Sequence, residues 1–298
     1  MTLPLVLALV AAAVILSPIL VRAMDRAAGY PIAALFFAGA AVLGRHLGEV
    51  SDGSPLTWHR TWARDILGPG TGMEFALRAD GLSIFFALLA LVIGGVVMCY
   101  SAAYLPKHEG NTSFYTIMTA FTLSVLLLVL ANDVVLLFIG WELVSIASFL
   151  LIARSGPSGE EGSYRTLVLT FFGGLTLLAA LALAAVNAGT TSLEGILQSD
   201  VWHNHPTLTT TVAILVALSA FTKAAQFPFH FWLPEAMAAA TPVSAFLHAA
   251  AVVKAGVYLL LRFSAIFADV SAWNVLLTAT GLFTALMSAV FAISKTDL

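Results

Sequence analysis

Apolar stretches of about twenty residues follow one another along the whole chain, and a bilayer core is the environment that suits segments of that length. The stretches run roughly over 3–22, 30–47, 80–104, 112–131, 133–153, 164–187, 208–226, 240–262 and 273–294, each bounded by charges, prolines or glycines. Lipid offers backbone N–H and C=O groups no partner, so each segment must satisfy its own hydrogen bonds as a helix. The sequence therefore predicts an all-α, polytopic membrane helix bundle of about nine spans. Composition agrees: 60% of residues are hydrophobic and 10% charged, whereas soluble chains carry about a quarter charged. The net charge of -3 is too small to suggest a nucleic-acid partner, and the one cysteine, Cys99, rules out an internal disulfide. Arg22 and Arg26 follow the first stretch instead of preceding it, so that stretch reads as a retained span and not a cleaved leader.

Basic residues orient the bundle. With the amino terminus outside, the inside connections hold Arg22, Arg26, Lys107, Arg154, Arg165 and Lys295, while the outside connections at 131–132 and 188–207 hold neither Lys nor Arg. The 48–79 connection, with Arg60, Arg64 and Arg78, runs against this pattern. Its strand-like pieces, Leu56-Thr-Trp-His-Arg-Thr-Trp and Met73-Glu-Phe-Ala-Leu-Arg, flank Gly68-Pro-Gly-Thr-Gly and predict a small external hairpin.

Three charges stand inside spans: Glu142, Lys223 and Lys254. Each costs roughly 2.5 to 3.5 kcal/mol at a helix centre on insertion scales, so each needs a reason to be there. An ion or proton pathway is the functional reason, and a polar pin between helices is the plain one. Lys223 and Lys254 are the candidate counter-charges for Glu142, and Ser145 lies one turn beyond it on the same side.

Lys223 precedes Gln226-Phe-Pro-Phe-His-Phe-Trp-Leu-Pro, and Pro228 should break or bend the helix just after the lysine. Broken spans are where membrane transporters bind ions near the midplane, although prolines also make simple kinks. His230 stands seven residues beyond Lys223, about 10 Å along an unbroken helix, so waters or other side chains must bridge the two. His248 and Lys254 share the eighth span on different faces, about 9 Å apart in rise, with His248 directed toward the broken seventh span. A membrane histidine is often only a packing donor. His46, His59, His108, His203 and His205 lie in connections or at span ends and carry no assignment. His203-Asn-His205 supplies two ligands, too few to specify a metal.

These residues permit a charge relay in which Glu142 moves toward or away from Lys223, and protons pass on through His230, His248 and waters to Lys254. Such a relay needs no redox cofactor and no metal.

Trp141-Glu142-Leu143 with Ser145 and Ser148-Phe-Leu-Leu comes first. It is followed by Phe221-Thr-Lys-Ala-Ala-Gln-Phe-Pro-Phe-His-Phe-Trp-Leu-Pro-Glu-Ala-Met, Thr241-Pro-Val-Ser-Ala-Phe-Leu-His and Val253-Lys-Ala-Gly. Together they resemble the antiporter-like subunits shared by Mrp-type cation/proton antiporters and respiratory complex I. The resemblance covers nearly the whole chain and is closest to the amino-terminal part of the A-type branch of the Mrp antiporter subunits. It implies that Glu142, Lys223, His230, His248 and Lys254 form half of a proton-translocation path. It also implies an inverted-repeat fold, with spans one to three at 1–111, a first five-helix repeat at 112–262 and the start of a second repeat at 263–298.

The resemblance further implies a multi-pass subunit of a cell (inner) membrane antiporter complex, working with other subunits to exchange protons for a monovalent cation, Na+ first. Two departures stand out. Val144, Ala147 and Ala251 replace hydroxyls common in the family, and the sequence stops at Ser294-Lys-Thr-Asp-Leu298, where relatives continue into a second half. The chain is therefore expected to be a fragment or to have that half supplied separately. Alternative readings are a proton-pumping membrane subunit of a complex I-like NADH-quinone oxidoreductase and an assembly scaffold with a vestigial relay.

Overall fold

The computed structural model describes residues 1–63, 73–107 and 110–294. Helix α1 (Thr2–Met24) turns through one 3₁₀ segment at Asp25–Ala28 into α2 (Gly29–Gly44), and the two pack against each other. Gly29 makes this turn possible, because a Cβ there would stand 2.7 Å from the Tyr115 hydroxyl. A short α3 (Leu47–Ser51) leads into strand β1 (Leu56–Ala63), which pairs antiparallel with β2 (Met73–Ala79) from Leu56↔Ala79 to Ala63↔Met73. The predicted hairpin is present, and its Gly68-Pro-Gly-Thr-Gly turn lies outside the described residues.

Membrane helices follow at α4 (Gly81–Tyr104), α5 (Asn111–Leu130), α6 (Val134–Ala153) and α7 (Pro157–Ala188). Side chains cap the starts of α4 and α6: the Asp80 carboxylate accepts from the Ser83 N–H at 3.0 Å, and that of Asp133 from the Val135 N–H at 2.8 Å. Two short helices, α8 (Leu193–Leu197) and α9 (Val201–Asn204), cross the surface on the hairpin side. The chain then enters α10 (Pro206–Lys223). Backbone bonds tie this surface together, with the Asn132 N–H donating to the Ala76 carbonyl and the Leu193 N–H to that of Asn132, both at 2.9 Å.

Helix α10 stops at Lys223, as the proline argument predicts. Ala225 adopts a left-handed φ of 52°, and the Gln226 N–H returns to the Phe221 carbonyl at 3.0 Å, closing the helix end. A 3₁₀ turn at Phe229–Phe231 and a short α11 (Trp232–Ala236) complete the broken seventh span. The eighth span departs from expectation. It is two helices, α12 (Thr241–Ala249) and α13 (Val252–Phe267), interrupted at Ala250–Ala251, so the unbroken-helix geometry predicted between His248 and Lys254 does not apply. Neither proline nor glycine marks that interruption. Helix α14 (Ser271–Ser294) ends the described chain.

Among the described residues, eight helical stretches are long and apolar enough to cross a membrane. The first of them, Thr2–Gly44, is α1 and α2 joined by the turn at Asp25–Ala28 and packed on each other, so the eight stretches hold nine long apolar segments against the nine spans expected.

Candidate functional site

The site gathers where α6, α7 and α10 meet, beside the two helix interruptions. Helix α13 reaches the end of α10 because Gly256 has no side chain: a Cβ there would lie 2.6 Å from the Ala220 carbonyl and 2.7 Å from the Ala224 nitrogen. The break after Lys223 and the first turn of α13, which carries Lys254, are thereby brought side by side.

Lys223 has no exposed surface. Its ammonium donates to the backbone carbonyl of Trp141 and sits 4.0 Å from the centre of the Trp141 ring. A desolvated ammonium over an indole gains about 2 kcal/mol of cation–π attraction, and the neutral amine gains none. Glu142, the next residue, is half-buried and within electrostatic reach of Lys223. It makes no ion pair with the lysine, and its Oε1 is buried with no hydrogen-bond partner among the described residues. The Ser145 hydroxyl donates to the same Trp141 carbonyl at 3.3 Å, so it serves the lysine's seat and not the carboxylate.

Two adjacent glycines of α7 shape the space opposite. A Cβ on Gly174 would overlap Glu142 Oε1 and stand 2.9 Å from its Cδ, and one on Gly173 would overlap the Thr222 hydroxyl. Thr222 in turn accepts, through its carbonyl, the indole N–H of the buried Trp232 at 2.8 Å, which latches the broken segment onto α10. A mid-span Gly-Gly pair was the sequence signal for this close approach, whereas Trp141, Thr222 and Trp232 stood in the motifs that carry the family resemblance without any pattern that gave their contacts.

The remaining candidates stand apart from the pair. The His230 ring packs 6.0 Å from the Phe227 ring and 6.3 Å from that of Phe291 of α14. Its Nδ1 and both ring nitrogens of His248 are buried without a hydrogen-bond partner among the described residues, as are Trp141 Nε1 and Ser219 Oγ. Buried polar atoms normally find partners, so their concentration around these interruptions marks a polar seam in an apolar bundle. Lys254 forms no hydrogen bond or ion pair among the described residues. No two of the five candidates share a hydrogen bond or an ion pair, and no group of three or more His, Cys, Asp or Glu suited to a metal occurs among the described residues.

The family described as NADH:quinone oxidoreductase/Mrp antiporter, transmembrane, matches residues 131–298, more than half of the chain. The chain belongs to that family. The amino-terminal domain of complex I chain 5 matches residues 69–115 of this NADH:quinone oxidoreductase/Mrp antiporter family member. The A-type subunit of a Na(+)/H(+) antiporter from Alkalihalophilus pseudofirmus is 42% identical over 77% of the chain and 29% of its own length. The A/B-type subunit of a probable K(+)/H(+) antiporter from Rhizobium meliloti is 42% identical over 84% of the chain and 25% of its own length.

The structure of the Mrp complex from Dietzia sp. DQ12-45-1b covers all of the chain with a TM-score of 0.90 and 45% identity, the chain matching 32% of its counterpart there. The membrane-bound sulfane sulfur reductase, an archaeal respiratory membrane complex, shares the fold at a TM-score of 0.74 and 22% identity. The chain thus spans between a quarter and a third of the relatives at 42–45% identity.

Proposed function

We propose that this chain conducts protons as part of the A-type subunit of a multisubunit antiporter in the cell membrane, exchanging protons for a monovalent cation, most plainly Na+. One observation carries the reading: a fully buried lysine at a helix break, seated on the Trp141 carbonyl and ring, with the Glu142 carboxyl beside it. The relatives' printed functions, with Na+ or K+ on the cation side, support it.

In this reading Lys223 holds the proton, Trp141 favours its charged form, and Glu142 is the movable counter-charge. Approach of the carboxylate secures the proton, and withdrawal releases it into the polar seam toward His248 and Lys254. His230, facing α14, connects the lysine with whatever extends beyond that helix. The other subunits, the bilayer and the two exchanged ions are the partners the reading requires.

The test uses the whole antiporter complex in proteoliposomes carrying a pH-sensitive dye. Lys223→Ala and Glu142→Ala are each expected to abolish proton movement driven by a Na+ gradient while the complex still assembles. Undiminished exchange in either variant would remove that residue from the path. Proton uptake driven by NADH and quinone, with none driven by a cation gradient, would assign the same relay to a redox enzyme.

A further inference from the structure

On the hairpin face four charged side chains, from β2, the start of α4, α8 and α13, converge. The Arg262 guanidinium of α13 pairs with both carboxylate oxygens of Asp80, at 3.0 Å from Nη2 to Oδ1, and donates to the Ser83 hydroxyl at 2.6 Å. Arg78 of β2 pairs with Glu194 of α8 and lies 3.9 Å from Asp80. These groups, with Asn132 and Gln198, line a cavity of about 130 Å³. A water needs about 10–15 Å³ of such space and two to four polar partners, so the cavity has room and chemistry for several.

A single face of α13 links this cavity to the site. Lys254, Tyr258 and Arg262 follow one another at intervals of four residues, which places them in one stripe with about 6 Å of rise per step. Lys254 stands at the deep end and Arg262 at the cavity. Between them Tyr258 is fully buried, its ring edge-on to Phe86 with centroids 5.6 Å apart. Its hydroxyl is the polar atom on this stretch: it accepts from Arg262 Nε at 3.1 Å and donates to the Val129 carbonyl at 3.0 Å. A phenol can accept on its oxygen while giving up its own proton, whereas a guanidinium stays protonated and cannot relay.

We propose that Tyr258 passes protons between Lys254 and the cavity at Asp80 and Arg262, opening a route to the hairpin face that avoids the broken helix. The inference rests on the proton path proposed above. In one concerted shift the Lys254 ammonium gives a proton to a bridging water, that water gives one to the Tyr258 oxygen, and the phenolic proton turns from the Val129 carbonyl to a second water that carries it past Arg262 to the cavity. Lysine becomes a neutral amine, tyrosine ends neutral, and one proton has reached the cavity. Arg262, anchored by Asp80 and Ser83, is a positioning residue that holds the hydroxyl in line.

The charged and titratable groups around Tyr258 are Arg262, Asp80 and Lys254, with Arg78 and Glu194 across the cavity. Helix α5 contributes the Val129 carbonyl and α4 the Ser83 hydroxyl, while the other helices packed on α13 carry Lys223 (α10), His248 (α12), Glu142 (α6) and Glu194 (α8).

The test compares Tyr258→Phe, Lys223→Ala and a protein with 3-fluorotyrosine at position 258, each in the whole complex. Tyr258→Phe removes one oxygen and leaves the ring, and cation-driven proton exchange is expected to fall at least about tenfold. Fluorination acidifies the phenol with little change of shape and is expected to move the alkaline limb of the pH–rate profile to lower pH. A purely structural tyrosine would not move that profile. Parental exchange in Tyr258→Phe, or a parental profile after fluorination, overturns the inference. If Lys223→Ala abolishes exchange in the same experiment, the failure belongs to Tyr258 alone, and if Lys223→Ala is also without effect, the underlying proton path falls with it. Should the phenylalanine variant fail to assemble, the fluorinated protein decides.

Discussion

Replacing Gly174 by alanine tests the position of the Glu142 carboxyl without touching its chemistry. The added Cβ would overlap Oε1 and stand 2.9 Å from Cδ, where ordinary contact between such atoms needs about 3.5–4 Å. The carboxyl must therefore shift by about 1 Å, a misplacement that can lower a geometry-dependent rate by about a hundredfold. Stability should move little. The overlapped atom is the end of a flexible side chain, and exchanging glycine for alanine inside a helix returns up to about 1 kcal/mol, so the net change stays within about 1 kcal/mol.

The assay pairs thermal unfolding of the purified complex with proton exchange in vesicles. Expected results are a near-parental unfolding temperature and exchange reduced between tenfold and a hundredfold. The double variant Gly174→Ala with Glu142→Asp, one methylene shorter, should regain part of the loss. Parental exchange in Gly174→Ala would refute the claim that the carboxyl works from this location. A collapse in stability would refute the claim that it is free to swing.

Gly140 gives the contrasting case, because a Cβ there meets backbone, 2.7 Å from the Leu128 nitrogen and 2.9 Å from its Cα. Gly140→Ala must push α5 and α6 apart and is expected to cost about 1–3 kcal/mol, read as a lowered unfolding temperature. Asp80 supplies a pH signature: burial pushes its carboxyl up, but hydrogen bonds from Arg262 and Ser83 and the guanidinium charge outweigh that and hold it below the usual carboxylate range. The stabilisation is therefore present above the unfolded value near 3.9 and lost as pH falls from there through the folded value. The parental complex should lose unfolding temperature below about pH 4 more steeply than Asp80→Asn, and identical acid profiles would show the pair contributes nothing.

What sequence alone decided is whatever depends on each residue's own solvent preference. The long apolar helices and the hairpin between them are of this kind, since transfer of apolar side chains into lipid sums locally along the chain. The stop at Lys223 was legible too, because Pro228 acts on the turn beside it. Glu142, Lys223 and Lys254 declared themselves by the cost of charge in a span.

What only the tertiary structure decided is which faces meet. Lys223 rests on the Trp141 carbonyl, a group every residue carries and no side-chain pattern can advertise. His230 turns to Phe291 of α14, a neighbour that its place seven residues beyond the lysine could not announce. The gap at Ala250–Ala251 has no proline or glycine to announce it. Asp80 finds Arg262 across 182 positions, and that pairing exists only because helices α4 and α13, distant in the chain, are packed so that their ends share one surface. Hydropathy is a property of segments, whereas a proton path is a property of interfaces between them, which is why the parts were readable and their connections were not.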